Sequence, residues 1–129
     1  MSVRQLIKRG LARYDIAITR YNKLKRLERD SGAAEALRFM REMPRQQLPS
    51  LIEYIDQFKS QNRQDLFALC ENGFKRNGYF VEFGATDGVN GSNSYLLEKS
   101  FGWQGIVAEP ARCWHAQLRA NRSCAIDTA

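Results

Sequence analysis

Two acidic residues interleaved with glycines, followed by a third acid some twenty residues on, are the part of this chain best suited to chemistry. They lie in Glu82-Phe-Gly84-Ala85-Thr-Asp87-Gly88 and at Glu109. Glycine lets a backbone loop approach a ligand closely, and in open α/β sheets the loop after the first strand does so. The pattern differs from a phosphate-binding glycine fingerprint by carrying two carboxylates beside the glycines. Glu82 and Asp87 would repel a pyrophosphate and attract a ligand bearing an ammonium and a sulfonium, by about 1 to 4 kcal/mol per close charge pair at effective dielectrics of about 80 to 20. Glu109 stands where an acid can accept hydrogen bonds from both hydroxyls of a ribose. An adenosine-bearing cation satisfies both ends of the pattern.

The elements that must hold these residues are legible on either side. Tyr79-Phe-Val-Glu-Phe83 is aromatic and β-branched and runs into Gly84, which predicts a buried strand ending in a tight turn. A helix is expected from Ser92 to Ser100, closed by Gly102. Gly105-Ile-Val-Ala108 predicts a second strand ending at Glu109-Pro110, Ala111 to Ala120 a further helix, and Cys124-Ala-Ile126 the start of a third strand. Strand, helix, strand, helix, strand implies an α/β fold with a parallel sheet and right-handed crossovers.

Upstream the pattern is helical. Val3, Ile7, Leu11, Tyr14, Ile18 and Tyr21 recur at spacings of three and four, which predicts a helix over 3–28 with Lys8, Arg9, Arg13, Arg20, Lys23, Lys25 and Arg26 on its other faces. Asp30-Ser-Gly32 reads as an interruption before a second helix from Ala33 to Glu42, stopped by Pro44. Ser50 and Glu53 have the spacing of a capping box at a third helix start, with Leu51, Tyr54, Ile55 and Phe58 as its apolar face. Leu66, Phe67, Leu69 and Cys70 predict a fourth helix ending near Asn72-Gly73. The division expected is a helical extension over 1–58 and the α/β segment over 59–129.

Composition bounds the function classes. With 43% hydrophobic and 26% charged residues the chain reads as globular, and no apolar stretch nears the roughly 18 to 20 residues of a membrane span. The first ten residues lack the apolar block of a secretory signal. Cys70, Cys113 and Cys124 form no C-x-x-C pair, so neither a disulfide framework nor a metal site is expected, and a cytoplasmic setting fits. The net charge of +6 is concentrated before Arg29, so the basic helix is a contact for the rest of the protein, a partner subunit or an anionic surface, and nucleic acid is not the leading partner. His115, the single histidine, reads as a surface or packing residue, and no catalytic base is identifiable.

Three stretches, Gly78-Tyr-Phe-Val-Glu-Phe-Gly-Ala-Thr-Asp-Gly88, Ser92-Asn-Ser-Tyr-Leu-Leu-Glu-Lys99 and Gly102-Trp-Gln-Gly-Ile-Val-Ala-Glu-Pro110, resemble the FkbM family of S-adenosylmethionine-dependent methyltransferases. Ser60-Gln-Asn-Arg-Gln-Asp65 is similar to the polar segment before that family's first strand. The resemblance covers Ser60 to Ala129 and implies the first part of a Rossmann-like methyltransferase sheet, truncated relative to the family's seven strands. It implies S-adenosylmethionine as cofactor, with Glu82, Gly84, Ala85 and Gly88 around the methionine moiety, Asp87 in the same loop, Glu109 on the ribose, and Gln61 and Asn93 at the rim. It implies O-methylation of a sugar or other hydroxylated metabolite, so a small-molecule or glycan acceptor, by a segment inactive alone. The family often has aspartate at position 82 and asparagine at 86, departures that alter reach rather than logic. Two other readings stand beside it: a nicotinamide-binding Rossmann protein, and a noncatalytic interaction protein using the basic helix.

Overall fold

The computed structural model describes Gln5, Ile7 and residues 21–129. The apolar stripe expected from Val3 to Ile18 therefore lies almost wholly outside the described residues. Met40–Ala129 forms one compact unit.

Helix α1, Tyr21–Glu42, runs without a break through Asp30, Ser31 and Gly32, where the sequence predicts an interruption. One glycine costs a helix only about 1 kcal/mol against alanine, too little to stop it. After Pro44 a single 3-10 turn, Arg45–Gln47, leads into α2, Leu48–Tyr54. The helix thus begins two residues before Ser50, and Ser50 is not its cap. Pro49 fits the first turn because its missing N–H would have had no helical partner there. Leu51 is fully buried.

Helix α3 spans Gln64–Glu71 and is anchored at its start by a buried carboxylate. Asp65 accepts hydrogen bonds from the Ser60 hydroxyl at 2.6 Å, the Lys59 N–H at 2.8 Å and the Leu66 N–H at 2.9 Å. That arrangement fixes Lys59 and Ser60, and the Lys59 carbonyl in turn accepts from Gly91 N–H at 2.9 Å. The polar segment before the first strand is thereby tied to the loop after it. Tyr54, Phe74 and Phe101 cluster with ring centroids 4.8 to 6.1 Å apart and join the helical region to the sheet layer.

The sheet has three parallel strands in the order β1 (Tyr79–Phe83), β2 (Gln104–Ala108), β3 (Ala125–Asp127). Helix α4 (Tyr95–Phe101) links the first pair. A 3-10 turn, Arg112–Trp114, and α5 (His115–Asn121) link the second. Tyr79 pairs with Gln104 and Phe83 with Ala108. The fold is mixed α/β with a parallel sheet, as expected.

The expectation that β1 is buried holds for one face alone. Phe80 and Glu82 on β1 and Gly105 and Val107 on β2 lie inward with Leu96, Leu97, Phe101 and Leu118, whereas Tyr79, Val81 and Phe83 are exposed. Complete burial of a leucine such as Leu66, Leu69 or Leu118 contributes about 1.5 to 3 kcal/mol, so the layer beneath the sheet holds it in place. Gly105 is required by that packing: a Cβ there would lie 2.2 Å from the Phe80 carbonyl oxygen.

Candidate glycine loop at the carboxyl end of the sheet

The loop after β1 folds across toward β2. Gly84 N–H and Ala85 N–H both donate to the Ala108 carbonyl, at 2.8 and 3.2 Å, and Gly88 N–H turns back to Ala85 at 2.8 Å. Thr86 N–H donates to Glu109 Oε2 at 2.8 Å. The acid that ends β2 and the glycine loop that follows β1, read from sequence as two ends of one site, are therefore in direct contact. Thr86 takes φ of +48°, a conformation costly for a β-branched residue, to deliver that N–H.

Glu109 is buried, and its other oxygen accepts from Ala111 N–H at 2.8 Å. A carboxylate offers about four lone-pair sites, so about two remain for further donors. The Glu109 carbonyl accepts from His115 Nε2 at 2.8 Å, which gives the histidine a packing role at the start of α5.

Glu82 is placed differently from the rest. Its carboxylate points into the beginning of α4, where it accepts from Ser92 Oγ at 2.9 Å, Asn93 N–H at 2.7 Å and Ser94 Oγ. Arg122 lies 3.6 Å away. A helix N-terminus attracts an anion, and here the chain supplies its own. Ser94 and Tyr95 N–H are also used, both by Ser92 Oγ.

Arg122 is the residue that sequence reasoning missed. Its side chain is wholly buried, with Nε 2.6 Å from Glu98, one terminal nitrogen shared between Gly88 C=O and Ser92 Oγ, and the other 2.9 Å from Ser94 Oγ. One guanidinium thus ties the loop and α4 to the end of α5. Burial pushes the Glu98 carboxyl up, but the Ser123 N–H, the Arg122 guanidinium and Lys99 outweigh it and hold it at about 2.

The remaining expected site residues divide by exposure. Gly84 has φ of +71°, and a Cβ there would meet nothing within 4 Å, so it faces open space. Asp87 is half-buried, and its carboxylate accepts from Val89 N–H and Asn90 N–H at 2.8 Å each. Burial raises the Asp87 carboxyl, but those bonds and the Asn90 side chain bring it below its usual value. Ala85 is buried. Gly88 is pressed against α5: a Cβ would lie 2.7 Å from Arg122 and 2.8 Å from Leu118. Asn93 contributes its backbone, and Gln61 lies beside Gly91, both with exposed side chains at the rim.

Elsewhere, hollows of about 460 and 560 Å³ open at the opposite, amino end of the strands, around Tyr79 and Gln104. Among the described residues no group of three His, Cys, Asp or Glu side chains could hold a metal ion, and no helix is long and apolar enough to cross a membrane. No protein-family model, curated protein or solved structure matches the chain.

Proposed function

We propose that Ser60–Ala129 is the cofactor-facing part of an FkbM-type, S-adenosylmethionine-dependent methyltransferase whose acceptor is a hydroxyl on a sugar or other small metabolite. The observation that carries this reading is the state of the loop's hydrogen-bond donors. The N–H groups of Gly84, Ala85, Thr86, Gly88, Val89 and Asn90 are all taken by carbonyls or by the carboxylates of Asp87 and Glu109. A pyrophosphate-binding loop must present such groups to its ligand. This loop presents instead an open backbone at Gly84, with Glu109 bonded to it through Thr86. Those features support a methionine moiety against Gly84 and a ribose at Glu109.

Methyl transfer draws much of its rate from in-line positioning of nucleophile and methyl group, so the glycine loop's part is to orient the cofactor. The acceptor side of the reaction lies beyond these three strands in the proposed reading, and no residue is assigned as the base.

Amide-resolved NMR titration of the chain with S-adenosylhomocysteine and, separately, with NAD tests the reading. Shifts confined to Gly84–Gly88 and Glu109, weak, produced by S-adenosylhomocysteine and abolished by Glu109→Ala, are expected. NAD alone moving those amides, or neither ligand doing so, overturns the cofactor assignment. Low-micromolar affinity overturns the proposal that the site is incomplete in these strands.

A further inference from the structure

The glycine loop is held from one side by the end of α5. Asn121, which closes that helix and is half-buried, donates from Nδ2 to the Asp87 carbonyl at 2.8 Å, and the next residue, Arg122, donates to the Gly88 carbonyl at 3.2 Å. A peptide group is planar, so bonds to both its N–H and its C=O fix its orientation. Three peptides of the loop are fixed in this way. In Ala85–Thr86 the carbonyl accepts from Gly88 and the N–H donates to Glu109. In Asp87–Gly88 the carbonyl accepts from Asn121 and the N–H donates to Ala85. In Gly88–Val89 the carbonyl accepts from Arg122 and the N–H donates to the Asp87 carboxylate. The peptide between the first two, Thr86–Asp87, has neither group bonded among the described residues. It is the central peptide of the four-residue turn closed by Gly88 N–H and Ala85 C=O, and such a turn leaves that peptide outside its own hydrogen bond.

We propose that Asn121 is a positioning residue of the cofactor loop: by holding the Asp87 carbonyl it sets the direction of the Asp87 N–H, the donor that the loop has left for a ligand oxygen. The Thr86–Asp87 peptide takes its orientation from the peptides on either side. Glu109 fixes the one before it through the Thr86 N–H, with Thr86 at φ of +48°, and Asn121 fixes the one after it through the Asp87 carbonyl. Without Asn121 the following peptide is held at its N–H end alone, by the Gly88 bond to Ala85, and can rock about it. Arg122 holds the next peptide along but also faces Glu82 and Glu98, so its removal disturbs the fold and the loop together. Asn121 faces neither carboxylate in this way, which lets positioning be separated from folding. The identity of the ligand rests on the proposed S-adenosylmethionine reading; the hold of Asn121 on the loop does not.

Amide-resolved NMR of the full 129-residue chain carrying Asn121→Leu, which keeps the shape of the side chain and removes its donor, tests the proposal with and without ligand. Without ligand, the Gly88 amide should exchange with solvent about two- to ten-fold faster than in wild type, the effect of losing one hydrogen bond, and the Thr86 and Asp87 resonances should move. Exchange at Val107, buried in the central strand, should stay as it is. Titrated with S-adenosylhomocysteine, the variant should bind about two- to ten-fold more weakly than wild type. Unchanged Gly88 exchange and loop resonances overturn the proposal, and so does a variant that binds as well as a binding wild type. Faster exchange that extends to Val107 overturns it too, since Asn121 then supports the fold as a whole. A wild type that does not bind S-adenosylhomocysteine overturns the cofactor reading, and the ligand-free comparison then decides the hold of Asn121 on the loop. If Asn121→Leu fails to fold, Asn121→Ala removes the same donor with a smaller side chain and is read by the same outcomes.

Discussion

Replacing Arg122 by methionine keeps an unbranched apolar stem against the Phe80 ring, whose centroid is 5.5 Å from the guanidinium carbon, and removes every donor that the arginine supplies. Four hydrogen-bond acceptors lose a partner: Glu98, Gly88 C=O, Ser92 and Ser94. Two carboxylates, Glu82 and Glu98, also lose their nearest guanidinium. Removing one partner of a buried ion pair costs about 3 to 5 kcal/mol, mostly because the charge left behind is uncompensated. A unit the size of Met40–Ala129 has roughly 5 to 13 kcal/mol in total at about 0.05 to 0.15 per residue, so Arg122→Met should remove a large share of its stability. Urea denaturation followed by circular dichroism measures the loss. If the stranded charge is the cause, adding Glu98→Gln to Arg122→Met should recover part of it, and the double-mutant cycle reports the coupling. The acid limb is a second readout. Glu98 is held at about 2, below its ordinary 4.5, so its contribution is complete above 4.5 and is lost as pH falls toward 2. Without Arg122 the Glu98 value rises, and the loss begins at higher pH. A single variant within about 1 kcal/mol of wild type, or a double variant no more stable than the single, would refute this account.

Two glycines of the same loop should respond unequally to alanine. Gly84→Ala carries only the left-handed backbone penalty, about 1 to 2 kcal/mol, because its Cβ enters open space, whereas Gly88→Ala adds an overlap with Arg122 and Leu118 costing a further 1 to 3 kcal/mol or so; equal melting-point shifts would contradict the packing. The cysteines should separate by reactivity. Burial, then Glu71, raises Cys70 to about 11, and burial, then the Glu98 hydrogen bond, raises Cys124 to about 11, while Cys113 is exposed. Iodoacetamide at neutral pH should therefore modify Cys113 first, since the thiolate is the nucleophile, and mass spectrometry showing Cys124 alkylated as fast would count against the environment described.

Local chemistry carried much of the fold into the sequence, and its failures have physical reasons. β1 announced itself through aromatic and β-branched residues, but four apolar side chains in five positions hide which face is covered, so the open face at Tyr79, Val81 and Phe83 was not visible. Asp30-Ser-Gly32 has turn chemistry, yet isolated breakers cost less than the helix around them supplies. The proline at position 49 was a better guide to the start of α2 than the serine after it. The loop, with Glu109 at its side, was legible because glycines and acids occur close together or at the end of a strand. Arg122 was not: it is one of 20 Lys and Arg residues, forty positions from Glu82, and nothing beside it in sequence marks it as buried. The available signal was indirect. An acid in the middle of a strand's inward face must find a cation or several donors.

On the proposed reading, discrimination between a cation and a pyrophosphate rests on the loop's backbone amides as well as on the carboxylates that the sequence singles out. Glu82 is spent on the start of α4 and, with Glu98, is matched against Arg122, which leaves the half-buried Asp87 in the loop and Glu109 bonded to it through Thr86. At effective dielectrics of about 20 to 80, an outward charge contributes about 1 to 4 kcal/mol to a ligand some 4 Å away, and solvent holds it toward the lower end. Donor saturation is the larger barrier. A phosphate oxygen desolvated against this loop would find the amides of Gly84, Ala85, Thr86, Gly88, Val89 and Asn90 already bonded, and each unmade hydrogen bond costs about 1 to 3 kcal/mol, more where the oxygen is charged. Freeing those amides would require breaking the Glu109–Thr86 contact and the Asp87 turn that shape the loop. On the proposed reading, selectivity against phosphate therefore comes from the way the loop satisfies itself, and Glu109 contributes to it by closing the Thr86 amide as well as by offering its remaining lone pairs to a ribose.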